Sequence, residues 1–460
     1  MEKKGLSCLD IEKNQVLLDA DNVFWGITKL HNNSPRPFYC EEKLRSKKRR
    51  GSDALISREL LSLYERMKGK CDQEIENFRF NSELTAIYID PTDRCNADCP
   101  YCYVPAKIRK QGRSMTEKEL NLILSKIAKY FEKKRKKPVI VFHASEPLLV
   151  KEIMFKAIDR FKEHFYFGIQ TNGLLLEDQD IRFIKDNKIG IGISLDASNA
   201  VINNRLRFSA TDGGNFNKVI RALEQFNGYE GLNVITTITK LNVTNLPALV
   251  KFLHKKKVPC VLLNPVRLTQ KNSRFLKPDD KLMAKYFIRA IEEAMRCSQR
   301  SRHKVIVGNF ANVILGIIAP TARRLMCDIS PCGGGRCFLT IAANGDMIPC
   351  GEFIGLMEFC GGNIFKDSID RAMASEPFRK IRSRIVEKID ECDVCTFRNI
   401  CGAPCPAELH AFGNMHKKAV FCEFYKKIIN YAFRLIAEGK EKYLLRKEGF
   451  ANLNYQYKID

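Results

Sequence analysis

From about residue 81 the chain repeats one pattern: a short apolar run, a polar turn, then a longer stretch with apolar positions at helical spacing. Strands are predicted at 84–89, 138–143, 166–170, 189–195, 233–239 and 258–264. A helix opens on the capping box Thr116-x-x-Glu119 and runs to Phe131, and others are predicted at 148–164, 178–187, 215–226 and 244–256. Six β/α units in succession give an α/β fold, a partial (β/α)6 barrel with helices outside. Ligands of such a sheet lie at the C-terminal ends of its strands.

The flanks are less regular. Two apolar runs, 15–18 and 23–27, surround Asp19 to Asn22 and predict a hairpin, and 53–68 has a helical look. Together residues 1–80 read as an extension or cap over a barrel at 81–304. Beyond the barrel, 279–297 is an amphipathic helix, 305–320 is apolar and partly buried, and 423–448 reads as a basic amphipathic helix before an extended end.

At 460 residues with 45% hydrophobic and 28% charged residues, the composition is that of a globular protein with two or three domains. No apolar run approaches the roughly 18 residues of a membrane span, and no signal core follows the start, so a cytoplasmic protein without a membrane partner is expected. The net charge of +24, concentrated in runs at 43–50 and 133–137, favours acidic partners. Each run alone is read as a solvated face, and no aromatic residues interleave with them as a base-stacking platform requires. The 18 cysteines cluster at metal-ligand spacings, which a reducing compartment and metal binding explain better than disulfides.

The first cluster follows the first barrel strand: Asp93-Arg94-Cys95-Asn96-Ala97-Asp98-Cys99-Pro100-Tyr101-Cys102-Tyr103. Tetrahedral zinc and four-iron clusters take four ligands, so a compact loop with three thiols leaves one metal corner open for chemistry. Arg94 is a cation beside the thiols, and the Tyr101 ring can lie flat against a bound heterocycle. A zinc loop completed from a distance is the plainer alternative.

The spacing Cys95-x3-Cys99-x-Tyr101-Cys102 resembles the signature of the radical S-adenosylmethionine (radical SAM) superfamily. The resemblance implies that Cys95, Cys99 and Cys102 hold a [4Fe–4S] cluster whose fourth iron binds S-adenosylmethionine. Its reductive cleavage would release methionine and give a 5′-deoxyadenosyl radical that removes a hydrogen atom from substrate. After strand two, Ala144-Ser145-Glu146-Pro147 stands where the family has Gly-Gly-Glu-Pro; Glu146 is kept and both glycines are replaced. Asn172 in Thr171-Asn172-Gly173, and Ser194 in Ser194-Leu195-Asp196-Ala197, match further family positions at the cofactor. Arg207 is assigned to the cofactor carboxylate, because a guanidinium matches two oxygens, with Arg205 as the alternative. Asp196 is expected to order the rim.

A second cysteine field comprises Cys332-x4-Cys337, Gly345-x4-Cys350, Cys392-x2-Cys395-x5-Cys401-x3-Cys405 and Cys422. It resembles the SPASM extension of radical SAM enzymes that modify peptides and proteins, expected here over 305–426 with a helical tail at 427–460. The resemblance implies two auxiliary [4Fe–4S] clusters, one on Cys332, Cys337, Cys350 and Cys405 and one on Cys392, Cys395, Cys401 and Cys422, hence three clusters in all. Cys327 is a competing ligand. Full ligation points to electron transfer or structure at those two.

The implied function is maturation of a ribosomally made (RiPP) peptide, forming a thioether or other crosslink. Sulfatase-maturing members carry an Asp directly after the cysteine equivalent to Cys350; here Gly351 stands there and Glu352 follows, so Glu352 is the candidate catalytic acid. Expected partners are a precursor peptide with an acidic leader and an acidic electron donor such as flavodoxin or ferredoxin. Formylglycine formation in a sulfatase is the alternative. A non-enzymatic zinc protein binding nucleic acid is the alternative from another class.

Overall fold

The computed structural model describes residues 5–29, 58–209, 211, 213–446 and 458–459. The basic run at 43–50, Cys40 and the chain from 447 to 457 lie outside them. The predicted strands appear as β4 (Ala86–Ile89), β5 (Val139–Phe142), β6 (Tyr166–Thr171), β7 (Gly190–Ser194), β8 (Leu232–Ile238) and β9 (Cys260–Pro265). They pair in parallel in chain order. Helices follow every strand, as parallel pairing demands. Thr116 and Glu119 form the capping box that starts Glu117–Glu132. The inward apolar residues, such as Ile140, Phe142, Ile191 and Val234, are fully buried.

Three short strands extend the barrel sheet at its edges. To number them in chain order, β1 to β3 are the N-terminal strands Leu6–Ile11, Asn14–Asp19 and Trp25–Lys29; β10 is Ile306–Val307, β11 is Phe338–Ile341, β12 is Met347–Ile348 and β13 is Lys458–Ile459. The large sheet runs β10-β9-β8-β7-β6-β5-β4-β11-β12, all parallel except β12. The cysteine-rich part is thereby hydrogen-bonded directly onto the barrel, β11 beside β4 with Thr340 opposite Tyr88. Two-residue strands carry no period, which is why 305–320 reads only as an apolar stretch; it is β10 followed by the helix Gly308–Ile318.

The predicted hairpin is β2 and β3, with β1 antiparallel to β2 and β13 parallel to β3. The helix Arg58–Phe80 packs on this sheet through Leu60, Tyr64 and Ile75, and Tyr64 donates to Asp19 at 2.7 Å. The unit is tied to the cysteine-rich region: Asn399 Nδ2 donates to the Ala20 carbonyl at 3.0 Å, and Arg79 clasps Glu387 with both terminal nitrogens at 2.7 and 2.9 Å. No helix among the described residues is long and apolar enough to cross a membrane.

Arg79 is buried and its fork is satisfied by Glu387 together with the Ser330 carbonyl. Arg79→Gln should therefore cost about 2 kcal/mol, the scale of a lost charged hydrogen bond, and lower the denaturation midpoint. An unchanged midpoint would mean that the N-terminal unit is docked by apolar packing alone.

Candidate iron–sulfur and cofactor site

The loop after β4 is shaped by one buried cation. Arg109 donates to the carbonyls of Ala97 at 2.9 Å and Val104 at 3.2 Å and to Asp98 Oδ1 at 3.1 Å, drawing the segment 95–104 around itself. The Cys95 amide donates to the Arg109 carbonyl and the Cys102 amide to the Cys99 carbonyl. Cys95, Cys99 and Cys102 act on one another through space, and burial pushes Cys95 up to about 12 and Cys102 to about 11. Thiols so desolvated keep their protons unless a metal replaces them, which fits a metal-binding set.

The other predicted cofactor residues gather around this loop. Glu146 is wholly buried and accepts from the Asn172 amide at 2.7 Å, Thr171 Oγ1 at 2.7 Å and the Leu148 amide at 3.0 Å. Desolvation nevertheless pushes its pKa up to about 7 against those three bonds. Asn172 Nδ2 reaches Asn96 at 2.8 Å and the Cys95 sulfur at 3.8 Å. Ser194 ends β7, and its carbonyl accepts from Asn215. Ala144 and Ser145 have φ of 43° and 50°, a left-handed turn that glycine adopts without strain. Here that turn is made with side chains present, and Ser145 Oγ donates to the Asp93 carbonyl at 2.6 Å.

Arg207 is buried and holds Asp196 through Nε at 2.8 Å and one terminal nitrogen at 3.3 Å. Tyr101 donates to the same carboxylate, and the guanidinium lies 5.3 Å from its ring centroid. The Tyr101 ring is thus fixed by a buried ion pair, with one face occupied by the cation. Asp196 also accepts from the Thr237 amide at 2.8 Å, so it joins β7 to β8. Arg205 is exposed.

The second cysteine field forms two separate cavities. Cys392, Cys395, Cys401 and Cys422 all line one of roughly 60 Å³. Cys332, Cys350 and Cys405 line another of roughly 170 Å³, and the fourth thiol there is Cys327, not Cys337. Phe338 and Thr340 of the strand Phe338–Ile341 line this cavity, while Cys337, buried in the turn just before that strand, is not among its lining residues. Among the described residues no three His, Cys, Asp or Glu side chains converge closely enough to hold a single metal ion. The thiols ring spaces instead, the arrangement a multi-atom cluster requires.

The larger cavity also reaches the barrel mouth. Tyr103, His143 and Gln170 from the strand ends line it together with Arg267 and Glu352. Arg267 Nε stands 3.4 Å from Glu352 Oε1, while Glu352 Oε2 is buried without a partner. Burial raises the Glu352 pKa and Arg267 opposes it. His143 Nδ1 is 3.7 Å from Asp90, a wholly buried carboxylate, and Nε2 is 3.5 Å from the Tyr103 hydroxyl. Sequence reasoning passed over Asp90, His143, Gln170 and Arg267. Their signal was position alone, at or just after the C-terminal ends of β4, β5, β6 and β9.

A barrel rim with three thiols, joined by its own sheet to a field of eight more, defines an iron–sulfur enzyme. Residues 89–254 match the family model of the radical SAM superfamily, and residues 332–396 match SPASM, an iron–sulfur cluster-binding domain. The chain belongs to the radical SAM superfamily and carries a C-terminal SPASM domain; its cofactors are [4Fe–4S] clusters and S-adenosylmethionine. The non-enzymatic zinc reading is thereby overturned.

An uncharacterized protein of Archaeoglobus fulgidus is 42% identical over 441 residues, 96% of each chain. A cysteine-type anaerobic sulfatase-maturating enzyme of Clostridium novyi is 23% identical over 360 residues, covering 75% of this chain and 93% of that one. The structure of anSMEcpe with bound AdoMet shares the fold with a TM-score of 0.68 at 18% identity, over 81% of this chain and 98% of that one. Streptococcus suis SuiB bound to its precursor peptide SuiA gives a TM-score of 0.57 at 14% identity, over 91% and 98%.

Glu146 supplies a pH test on cofactor-free protein. Its folded pKa of about 7 lies above the ordinary 4.5, so the native state binds the extra proton between those values. Stability should fall as pH rises through that window and level off above it. Glu146→Gln should remove that slope in a series of thermal melts; an identical slope in the variant would assign it to other groups.

Proposed function

We propose that this chain modifies a ribosomally made peptide, with Cys95, Cys99 and Cys102 holding the cluster that binds S-adenosylmethionine. Cys327, Cys332, Cys350 and Cys405 would hold the first auxiliary cluster, and Cys392, Cys395, Cys401 and Cys422 the second. The observation that carries the reading is the cavity that the barrel mouth shares with the first auxiliary thiols. A substrate side chain there meets strand-end residues and the thiols in one space. When bound, the cofactors supply reductive cleavage of S-adenosylmethionine and hydrogen-atom abstraction.

The chain's own residues bind, orient and move protons. Glu146, Asn172 and Ser194 line the rim for the cofactor's polar groups, and Arg207, beside Cys99, is the cation there for its carboxylate. Asp196 keeps both Arg207 and Tyr101 in place. Glu352 offers its free Oε2 to a substrate proton, oriented by Arg267 on the other oxygen.

Formation of a thioether or other crosslink is favoured because Gly351 stands where sulfatase maturases place an acid. Formylglycine formation is the second reading, supported by similarity along 93% of a cysteine-type sulfatase maturase. The charge of +24 suits an acidic leader peptide and an acidic donor such as flavodoxin or ferredoxin, and the many free thiols suit the cytoplasm.

Anaerobically reconstituted protein, reduced with S-adenosylmethionine, should form 5′-deoxyadenosine, and a variant with Cys95, Cys99 and Cys102 all changed to Ala should form none. Failure of a fully loaded parent would end the reading. Added cysteine-containing peptides separate the chemistries by mass: loss of a pair of hydrogen atoms alone marks a crosslink, and replacement of sulfur by oxygen together with loss of a pair of hydrogen atoms marks formylglycine. Binding of a peptide with an acidic leader should weaken steadily with salt. Constant affinity across the salt series would remove the leader from the proposal.

A further inference from the structure

Arg384 is among the largest fully buried side chains of the protein, yet it forms no ion pair among the described residues. All of its hydrogen bonds go to backbone carbonyls: Nε to Met415 at 2.6 Å, and a terminal nitrogen to Ala403 at 2.8 Å and Lys417 at 3.5 Å. Carbonyls accept these hydrogen bonds and leave its charge uncompensated, a costly state in a desolvated interior.

Its position shows what would compensate that charge. In the chain it lies between Ile381, which lines the larger thiol cavity, and Val386, which lines the smaller. Its acceptor Ala403 lines the smaller cavity, and its acceptor Met415 packs in the cluster with Cys332, Cys350 and Cys405. After burial, the groups that act on it most strongly are the thiols of Cys332 and Cys405 from the first site and Cys392 and Cys401 from the second. Arg336 is a one-sided version. It is buried, donates only to the carbonyls of Phe78 and Pro331, and has Cys332 and Cys337 as its ionisable neighbours of opposite sign.

We propose that Arg384 is the counter-cation shared by the two auxiliary clusters, that Arg336 serves the first alone, and that these fixed charges raise the clusters' reduction potentials. The inference rests on the two ligand sets assigned above. A cluster ligated by four thiolates carries net negative charge that grows on reduction, so a buried cation stabilises the reduced form most.

The test is an EPR-monitored redox titration of the reconstituted full chain. In Arg384→Gln both auxiliary midpoints should fall, by about 59 mV for each tenfold loss in the reduced-to-oxidised ratio of a one-electron couple. The cluster on Cys95, Cys99 and Cys102 should hold its value. Arg336→Gln should lower the first auxiliary midpoint and leave the second unmoved. It carries the test by itself if Arg384→Gln fails to fold. Midpoints unchanged in both variants, or all three clusters shifting alike, would overturn the proposal while leaving the ligand assignment standing. Parent protein lacking iron and sulfide at either auxiliary site would overturn the ligand assignment and the proposal with it.

Discussion

Charge in a dry interior is the constraint on which this structure turns. Burial drives up the pKa values of the rim-loop thiols and of several thiols in both cavities, Cys401 and Cys405 included. They fit their surroundings only as metal ligands, with positive charge supplied by iron and by arginines placed among them. Arg109 shapes the rim loop, Arg207 holds the buried Asp196 and Tyr101, Arg267 faces Glu352, and Arg384 stands between the cavities. The large net positive charge is therefore partly an internal feature as well as a surface one.

The parallel sheet converts this chemistry into a site. Strand ends deliver the rim loop, the Ala144-Ser145 turn, Asn172, Ser194 and the residues after β9 to one side. Because β11 pairs with β4, the SPASM thiols are fixed to the same frame by main-chain hydrogen bonds. The spacing between barrel mouth and auxiliary thiols is then set by sheet geometry rather than by a hinge. A shared cavity with Tyr103 and His143 on one wall and Cys327, Cys332, Cys350 and Cys405 on another follows from that pairing.

How much of this could be read from the chain depended on period and length. The six barrel strands were legible because each is a buried run of four to seven residues bounded by turn signals, and Thr116 announced its helix through a local capping box. Two-residue β10 and β12 offered no pattern, and β11 lay hidden among cysteines whose spacing drew attention to ligation. Cys337 was implied by the family's ligand pattern, whereas the folded chain brings Cys327 from a preceding turn into the cavity and leaves Cys337 out of its lining. The Gly-Gly departure was visible as a change of residue type, but only the backbone showed that Ala144 and Ser145 take a left-handed turn. Asp90, His143 and Arg267 are brought together by tertiary structure alone. The N-terminal strands were half legible, and the contacts with Asn399 and Glu387 join residues more than 300 positions apart.

The central claim is that the eleven proposed ligands fall into three cluster sites with Cys327 completing the first auxiliary one. Iron and sulfide analysis with EPR, on Cys327→Ala and Cys337→Ala proteins reconstituted side by side, tests it most directly. The account predicts that Cys327→Ala loses about four irons and the matching sulfide, or shows an altered first auxiliary signal, while Cys337→Ala matches the parent. Loss of the cluster in Cys337→Ala with Cys327→Ala unchanged would contradict it.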